Sequence, residues 1–345
     1  MKITMEQVLD SLRSVMDPDL KKDIVSLGFV RDLRIEDKIV YFNLELTTPA
    51  CPLKEKLKAD AEEAVRNIEE VSDVVIEVTS KVTTHRAQIE EDILPGVKNI
   101  VAVASGKGGV GKSTVCVSLA VSLARTGAKV GLLDTDIYGP SIPIMMGIKE
   151  QPELKDQKLI PISKYGVRLM SLGFLISEDT PMIWRGPMVM KAVEQLITDV
   201  EWGELDYLFI DLPPGTGDVQ LTLAQKVPLT GAVIVTTPQD VALLDVVRGI
   251  SMFKKLNVPI LGIIENMSFF KCPHCGGRTD IFSHGGGEGA SRKYDVPFLG
   301  EVPLDIRIRT GGDSGRPVVI DDPESDQGNI FMKIAEQLAS RISVM

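Results

Sequence analysis

The sequence is poor in cysteine, has no excess of basic charge and contains no long apolar run. Four cysteines in 345 residues are too few for a disulfide framework, which points to a reducing compartment, the cytoplasm. Thirty-eight Lys and Arg against 48 Asp and Glu leave a net charge of −10. A field of that sign repels phosphate backbones and argues against nucleic acid or an anionic membrane as partner. No stretch nears the roughly 18 apolar residues that cross a bilayer. The opening MKITMEQVLDSLRS has no apolar h-region and brings acids early, so it is not expected to act as a signal peptide. What is present fits a globular chain with a real core: 44% of residues are apolar and 25% charged. At about 150 residues per domain, the length suggests two domains.

Periodicity divides the chain. Residues 1–82 read as a small α/β unit of order α-β-β-α-β: a helix capped by Thr4 through about Met16, a hairpin of Phe29–Ile35 and Lys38–Leu46, a helix from Pro52 to about Ile68, and a strand at Val74–Thr79. Residues 83–97 lose both periodicities and include Pro95-Gly96, which marks a linker. Residues 98–345 alternate helical stretches with near-continuous apolar strands at Ile100–Ala104, Lys129–Asp134, Tyr207–Asp211, Ala232–Thr236 and Ile260–Glu265. That alternation predicts a mostly parallel, doubly wound α/β sheet covered on both faces.

Residues 106–113, GKGGVGKS, follow the first of these strands and open a helix running to about Arg125. They match the phosphate-loop pattern, whose chance occurrence in such a chain is on the order of one per cent. Gly106, Gly108, Gly109 and Gly111, with Val110 between, let successive backbone amides turn inward around phosphate oxygens. The helix beginning at Ser113 and Thr114 adds its positive end. Lys112 offers a point charge to the outer phosphates and Ser113 a hydroxyl to Mg²⁺. The motif implies a nucleotide site, and since no N-K-x-D guanine motif is visible, ATP is favoured over GTP.

Cys272 and Cys275, in CPHC, have the spacing of a metal or redox pair. Two thiolates do not complete a tetrahedral site, and the chain has no second C-x-x-C. Three completions stay open: a homodimer giving four thiolates at a two-fold axis, a zinc knuckle using His274 or His284, or no metal at all, as a redox or structural pair. Four thiolates suit Zn²⁺ or an iron–sulfur cluster alike.

The string KGGVGKST resembles the deviant phosphate loop of the MinD, ParA and nitrogenase-iron-protein class of dimeric ATPases. That resemblance implies that Lys107 reaches across a subunit interface to the other copy's nucleotide, as an arginine finger would. It further implies that Asp136 positions the attacking water, that Asp134 is a magnesium-side acid, and that Asp211 is a Walker B carboxylate. PPGTGD (213–218) corresponds to a second switch and Asn266 to the position that reads adenine. The phosphate loop with DTDIYGPS (134–141), IWRGPM (183–188), IDLPPGTGD (210–218), ENMS (265–268) and CPHCG (272–276) together resemble the Mrp/ApbC family of iron–sulfur cluster carrier ATPases. The small unit, with DPDL, DIVSLGFV and TTPACP, resembles the PaaD/SufT type of iron–sulfur-assembly domain, although Lys21-Lys22 stand where that motif is more apolar. The family implies a [4Fe–4S] cluster bridging two subunits through Cys272 and Cys275. It also implies exchange of that cluster with assembly scaffolds and apo-proteins.

Cys51, just before a helix N-terminus, matches that family's reactive small-domain thiol, and a half-buried packing thiol explains it equally well. Cys116 reads as a core residue. The class's other members fit less well. A MinD-type regulator wants a basic membrane helix at its C-terminus, which residues 330–342 do not supply. A ParA relative wants a basic patch, a nitrogenase reductase spaces its cysteines far apart, and an arsenite pump carries two phosphate loops.

Overall fold

A computed structural model describes residues 3–87, 93–136, 139–175, 186–215 and 217–345. Contacts divide it into two compact units, residues 1–83 with 339–345, and residues 84–338.

In the first unit, α1 (Met5–Leu12) is closed by a capping box: Gln7 N–H donates to the Thr4 hydroxyl and Thr4 N–H to the Gln7 side chain. The helix ends four residues short of the expected Met16. The buried Asp17 carboxylate draws the chain into a turn by accepting the amides of Asp19 and Leu20, both at 2.9 Å. Met16–Asp17 instead pairs with Lys22–Asp23 in a two-residue ladder that the sequence did not suggest. The strands β1 (Val30–Glu36), β2 (Ile39–Leu46) and β3 (Asp73–Ser80) form a three-stranded sheet in that order. The β1–β2 pair is antiparallel and β2–β3 parallel, with α2 (Lys54–Arg66) crossing between. Alternate residues Val40, Phe42, Leu44 and Leu46 are buried, and Leu57, Ala61 and Val65 of α2 join their cluster at helical spacing. Each fully buried Leu or Phe contributes about 1.5–3 kcal/mol.

The second unit is built on an eight-stranded sheet. Its members are β4 (Val97–Ala104), β5 (Val130–Asp134), β6 (Ile162–Lys164), β7 (Val167–Ser171), β8 (Leu205–Asp211), β9 (Gly231–Thr236), β10 (Ile260–Glu265) and β11 (Phe298–Glu301). The spatial order is β6-β7-β5-β8-β4-β9-β10-β11, parallel throughout except for the β6–β7 edge hairpin. The five expected strands are all there, and β4 starts at Val97, inside the stretch read as linker. The sequence missed β6, β7 and β11, which are too short and too near the sheet edges to show as apolar runs. Helices α3 (Lys112–Arg125), α4 (Gly186–Thr198), α5 (Asp218–Lys226), α6 (Asp240–Lys255), α7 (Gly286–Tyr294) and α8 (Ile306–Asp313) follow the strands. The central strands are buried over almost their whole length, as expected of a doubly wound fold, whose ligands collect at the carboxyl ends of the strands. Among the described residues no helix is long and apolar enough to cross a membrane.

Candidate functional site

The phosphate loop leaves β4 and enters α3 through Gly109 and Gly111, at φ +80° and +79°. Gly111 has a second constraint: a Cβ there would lie 2.2 Å from the Asn266 side-chain nitrogen. Asn266 is buried and donates to the Val110 carbonyl at 2.8 Å, which locks the end of β10 onto the loop. Inward amides ahead of a helix N-terminus make an anion-binding concavity.

Below the loop the charges are cross-linked. Asp211, at the end of β8 and fully buried, receives the Lys112 ammonium at 2.6 Å on one oxygen and the Ser113 hydroxyl at 2.6 Å on the other. The β5–β8 register sets Asp134 beside Asp211. Asp134 is fully buried too, accepting the Ser171 hydroxyl at 2.9 Å and the Asp136 amide at 3.1 Å. Burial first, and then the neighbouring Asp211 charge, lift the Asp134 pKa to about 7. Burial also raises Asp211, with Lys112 opposing. One carboxyl of the pair is thus poised to hold a proton near neutrality. Oxygen donors of this kind suit a hard cation such as Mg²⁺.

The other expected residues are placed around this centre. Lys107 donates to Gln239 of its own chain at 3.2 Å. Asp136 is half-buried beyond β5. Gly215 N–H donates to the carbonyl of Ser105, just ahead of the phosphate loop, at 3.0 Å, and the buried Gln220 donates to the Pro213 carbonyl within its own segment. Ile137 and Tyr138, residues 183–185 of IWRGPM, and Thr216 lie outside the described residues. A cleft of about 380 Å³ opens beside the loop, lined by Gly111, Thr114, Met145, Asn266, Met267 and Leu304 among others. It is wide enough for a base and sugar and apolar enough on its walls to hold them.

Elsewhere in this unit, Cys272 and Cys275 occupy the turn between two-residue strands, Phe270–Lys271 and Arg278–Thr279. Reciprocal bonds of 2.9 Å, Cys272 N–H to Gly277 and Gly276 N–H to the Cys272 carbonyl, close the turn. Cys275 is exposed and Cys272 half-buried. The amides of Cys275 and His274, with the Cys275 side chain, hold the Cys272 thiol below its usual pKa. Among the described residues, no third His, Cys or carboxylate ligand atom joins these sulfurs within 4.8 Å of both. The His284 completion is not seen: among the described residues that side chain does not join the sulfurs, and its Nδ1 lies 2.8 Å from Arg278 Nη2. The redox alternative, which would open a helix, meets a hairpin turn instead.

Cys51 packs half-buried against the core of the first unit, and Cys116 is fully buried with its pKa pushed well up by that burial. The sequence missed Ser171, Gln239 and Gln220, which have no motif of their own. Ser171 stands on a short strand, β7, that periodicity did not reveal.

Comparison with known proteins adds the family. A model of the NUBPL iron-transfer P-loop NTPase matches residues 96–339, and one of an iron-sulfur cluster assembly protein matches residues 5–78. The chain belongs to the iron-sulfur cluster carrier family of P-loop NTPases. A Synechocystis iron-sulfur cluster carrier protein is 49% identical over 348 residues, covering 99% of both chains. A Dictyostelium discoideum iron-sulfur cluster transfer protein NUBPL is 46% identical, covering 88% of this carrier-family chain and 95% of its own. Among solved structures, a nucleotide-binding protein of Archaeoglobus fulgidus in complex with ADP and with cobalt superimposes with a TM-score of 0.61 at 41% identity. It covers 69% of this chain and 95% of its own. The cell-division ATPase MinD of Pyrococcus furiosus, at a TM-score of 0.52 and 23% identity, shares the fold.

Proposed function

We propose that this protein hydrolyses ATP and carries a [4Fe–4S] cluster between two copies of itself, delivering the cluster to apo-proteins. The observation that carries the reading is the lone pair of sulfurs. Two soft thiolates on an exposed turn, with no third ligand among the described residues, are half of a four-thiolate cage. A two-fold axis supplies the other half. An exposed cage also suits cargo that must leave again. Residues 1–82 then form the assembly-type domain and 98–345 the ATPase, joined by 83–97.

In this reading the loop amides from Gly106 to Gly111 hold the phosphates, Thr114 and Asn266 border the base and sugar, and Lys112 turns from Asp211 to the outer phosphates. Mg²⁺, held through Ser113 and Asp211 with Asp134 behind, supplies charge neutralisation at those phosphates. Asp136 orients the attacking water, and Lys107 leaves Gln239 to meet the nucleotide of the second copy. The homodimer is therefore required by both chemistries. Anionic surface charge and the four dispersed cysteines favour a cytoplasmic setting without nucleic acid or membrane.

Anaerobic reconstitution tests this, with iron, sulfide and zinc counted per subunit and the dimer fraction measured in the same samples. Wild type is expected to hold four irons and four sulfides per dimer ([4Fe–4S] by composition), and Cys272→Ala none. Stoichiometric zinc without sulfide would make the protein a zinc-stapled, ATP-switched scaffold, and a cluster held by strict monomers would remove the shared cage.

A further inference from the structure

Arg278 lies on the second of the two short strands that flank the cysteine turn, and no motif pointed to it. Its guanidinium lies 4.1 Å from the centre of the Phe269 ring and reaches three partners. Nε donates to Asp280 at 2.9 Å, Nη1 to Glu301 at 3.2 Å and Nη2 to His284 Nδ1 at 2.8 Å. A guanidinium only donates, so His284 meets it through the Nδ1 lone pair. The partners are fixed from behind. Glu301 is the register neighbour of Glu265 across β10 and β11. Glu265, fully buried, accepts the Ser268 hydroxyl at 2.6 Å and the Gly287 amide at the start of α7. A Cβ at Gly287 would lie 3.0 Å from that carboxylate. Ligand atoms of Glu265, His284 and Glu301 gather within 4.8 Å, a set that resembles a metal site. Arg278 already engages two of the three, and its charge opposes a second cation. The cluster's cation is the arginine.

The strip behind this cluster also lines the nucleotide cleft. Asn266 and Met267 face the cleft immediately after Glu265. Leu304, another wall residue, donates its N–H to the Phe269 carbonyl at 2.7 Å. The cysteine-bearing strands are only two residues long, far too short to hold an orientation alone. Among the described residues they also carry the exposed Lys271–Asp326 pair, and exposed pairs contribute little.

We propose that Arg278 is a positioning residue that clamps the Cys272–Cys275 turn to the strand end bearing Asn266, so that nucleotide in the cleft changes the setting of the two thiols. The inference rests on the carrier reading for its purpose. Its physical content is a coupling between sites, which exists only if the clamp differs between nucleotide states.

The test reads thiol alkylation in the metal-free full chain carrying Cys51→Ser, by peptide mass spectrometry at Cys272 and Cys275. It is run without nucleotide, with ADP and with a non-hydrolysable ATP analogue. Otherwise unsubstituted protein is expected to show rates that differ about fivefold between nucleotide states. Arg278→Ala, with ATP turnover within about twofold of normal, is expected to bring that ratio to one. Arg278→Lys keeps the charge and bulk but not the fork, and is expected to behave as the alanine variant does. A ratio of one in the parent protein, or an undiminished ratio in Arg278→Ala, would overturn the clamp. Iron and sulfide counts on reconstituted parent protein separately decide the carrier reading, so the two failures are distinguishable.

Discussion

The nucleotide pocket and the cysteine turn are built on opposite physical plans within one unit. Asp134, Asp211 and Lys112 are almost wholly removed from water, with Lys112 paired to Asp211 and each carboxylate holding a serine hydroxyl. The turn exposes Cys275 on a pair of two-residue strands. Phosphoryl transfer gains from preorganised charge in a dry site, where electrostatic interactions are strongest. Cargo that is loaded and released needs ligands within reach of a donor or acceptor. The difference teaches where each site keeps its free energy: the pocket in buried electrostatics that also hold the fold together, the turn, under the carrier proposal, in bonds to its cargo.

The sharpest way to break that comparison is to remove one side chain from each site. Lys112→Ala is expected to abolish hydrolysis and to lower stability by about 3 kcal/mol. That is the low end for breaking a buried pair, since Asp211 can take up a proton and escape isolation. Cys272→Ala, on the exposed turn, is expected to leave urea denaturation of the metal-free protein unchanged within about 0.5 kcal/mol. Equal losses from the two variants would show that the turn, too, is part of the folded core. A smaller effect tests the reach of the pocket: Lys107→Ala is expected to retain ATP binding and lose about 10³-fold in turnover. Its partner within the chain is a neutral amide, Gln239, so stability should hold. Normal turnover in this variant would leave the second copy without a role in hydrolysis.

The two plans were not equally legible in the sequence. The phosphate loop carries its chemistry in consecutive residues, and the strand ends that bear Asp134 and Asp211 are long apolar runs, so the sequence alone led to that group of residues. What it could not supply was register. Asp134 and Asp211 become neighbours only because β5 and β8 pair in parallel, and the Asp211 charge then adds to the burial that chiefly raises the Asp134 pKa. Ser171 was out of reach for the same reason, on a five-residue strand that pairs with both β6 and β5. The cysteine spacing was plain, but its completion was not, because nothing in CPHC says whether His284 turns toward the sulfurs or toward Arg278. The sheet edge decides that, through Glu301. In the first unit, helical period alone carried α1 past Leu12, while a buried Asp17 accepting two amides ended it.

The smallest expected effect is the one that isolates the register. A carboxyl whose folded pKa is about 7 binds more protons in the folded than in the unfolded chain at every pH between about 4 and that value. Protonation therefore favours the native state, and stability contributed by this group falls as pH rises from about 4 to about 7. Asp134→Asn removes the titration while keeping a polar group of the same shape beside Ser171. In urea melts of nucleotide-free protein, the variant is expected to be relatively more stable than wild type at pH 7.5 than at pH 4.5. The Lys112–Asp211 pair remains in both proteins, so the difference reads Asp134 together with its interaction with the Asp211 charge. Parallel pH profiles would mean that the buried carboxyls share charge differently from what the β5–β8 pairing dictates. The dry pocket would then owe less to its fold, and more to the nucleotide it binds, than the contrast with the cysteine turn requires.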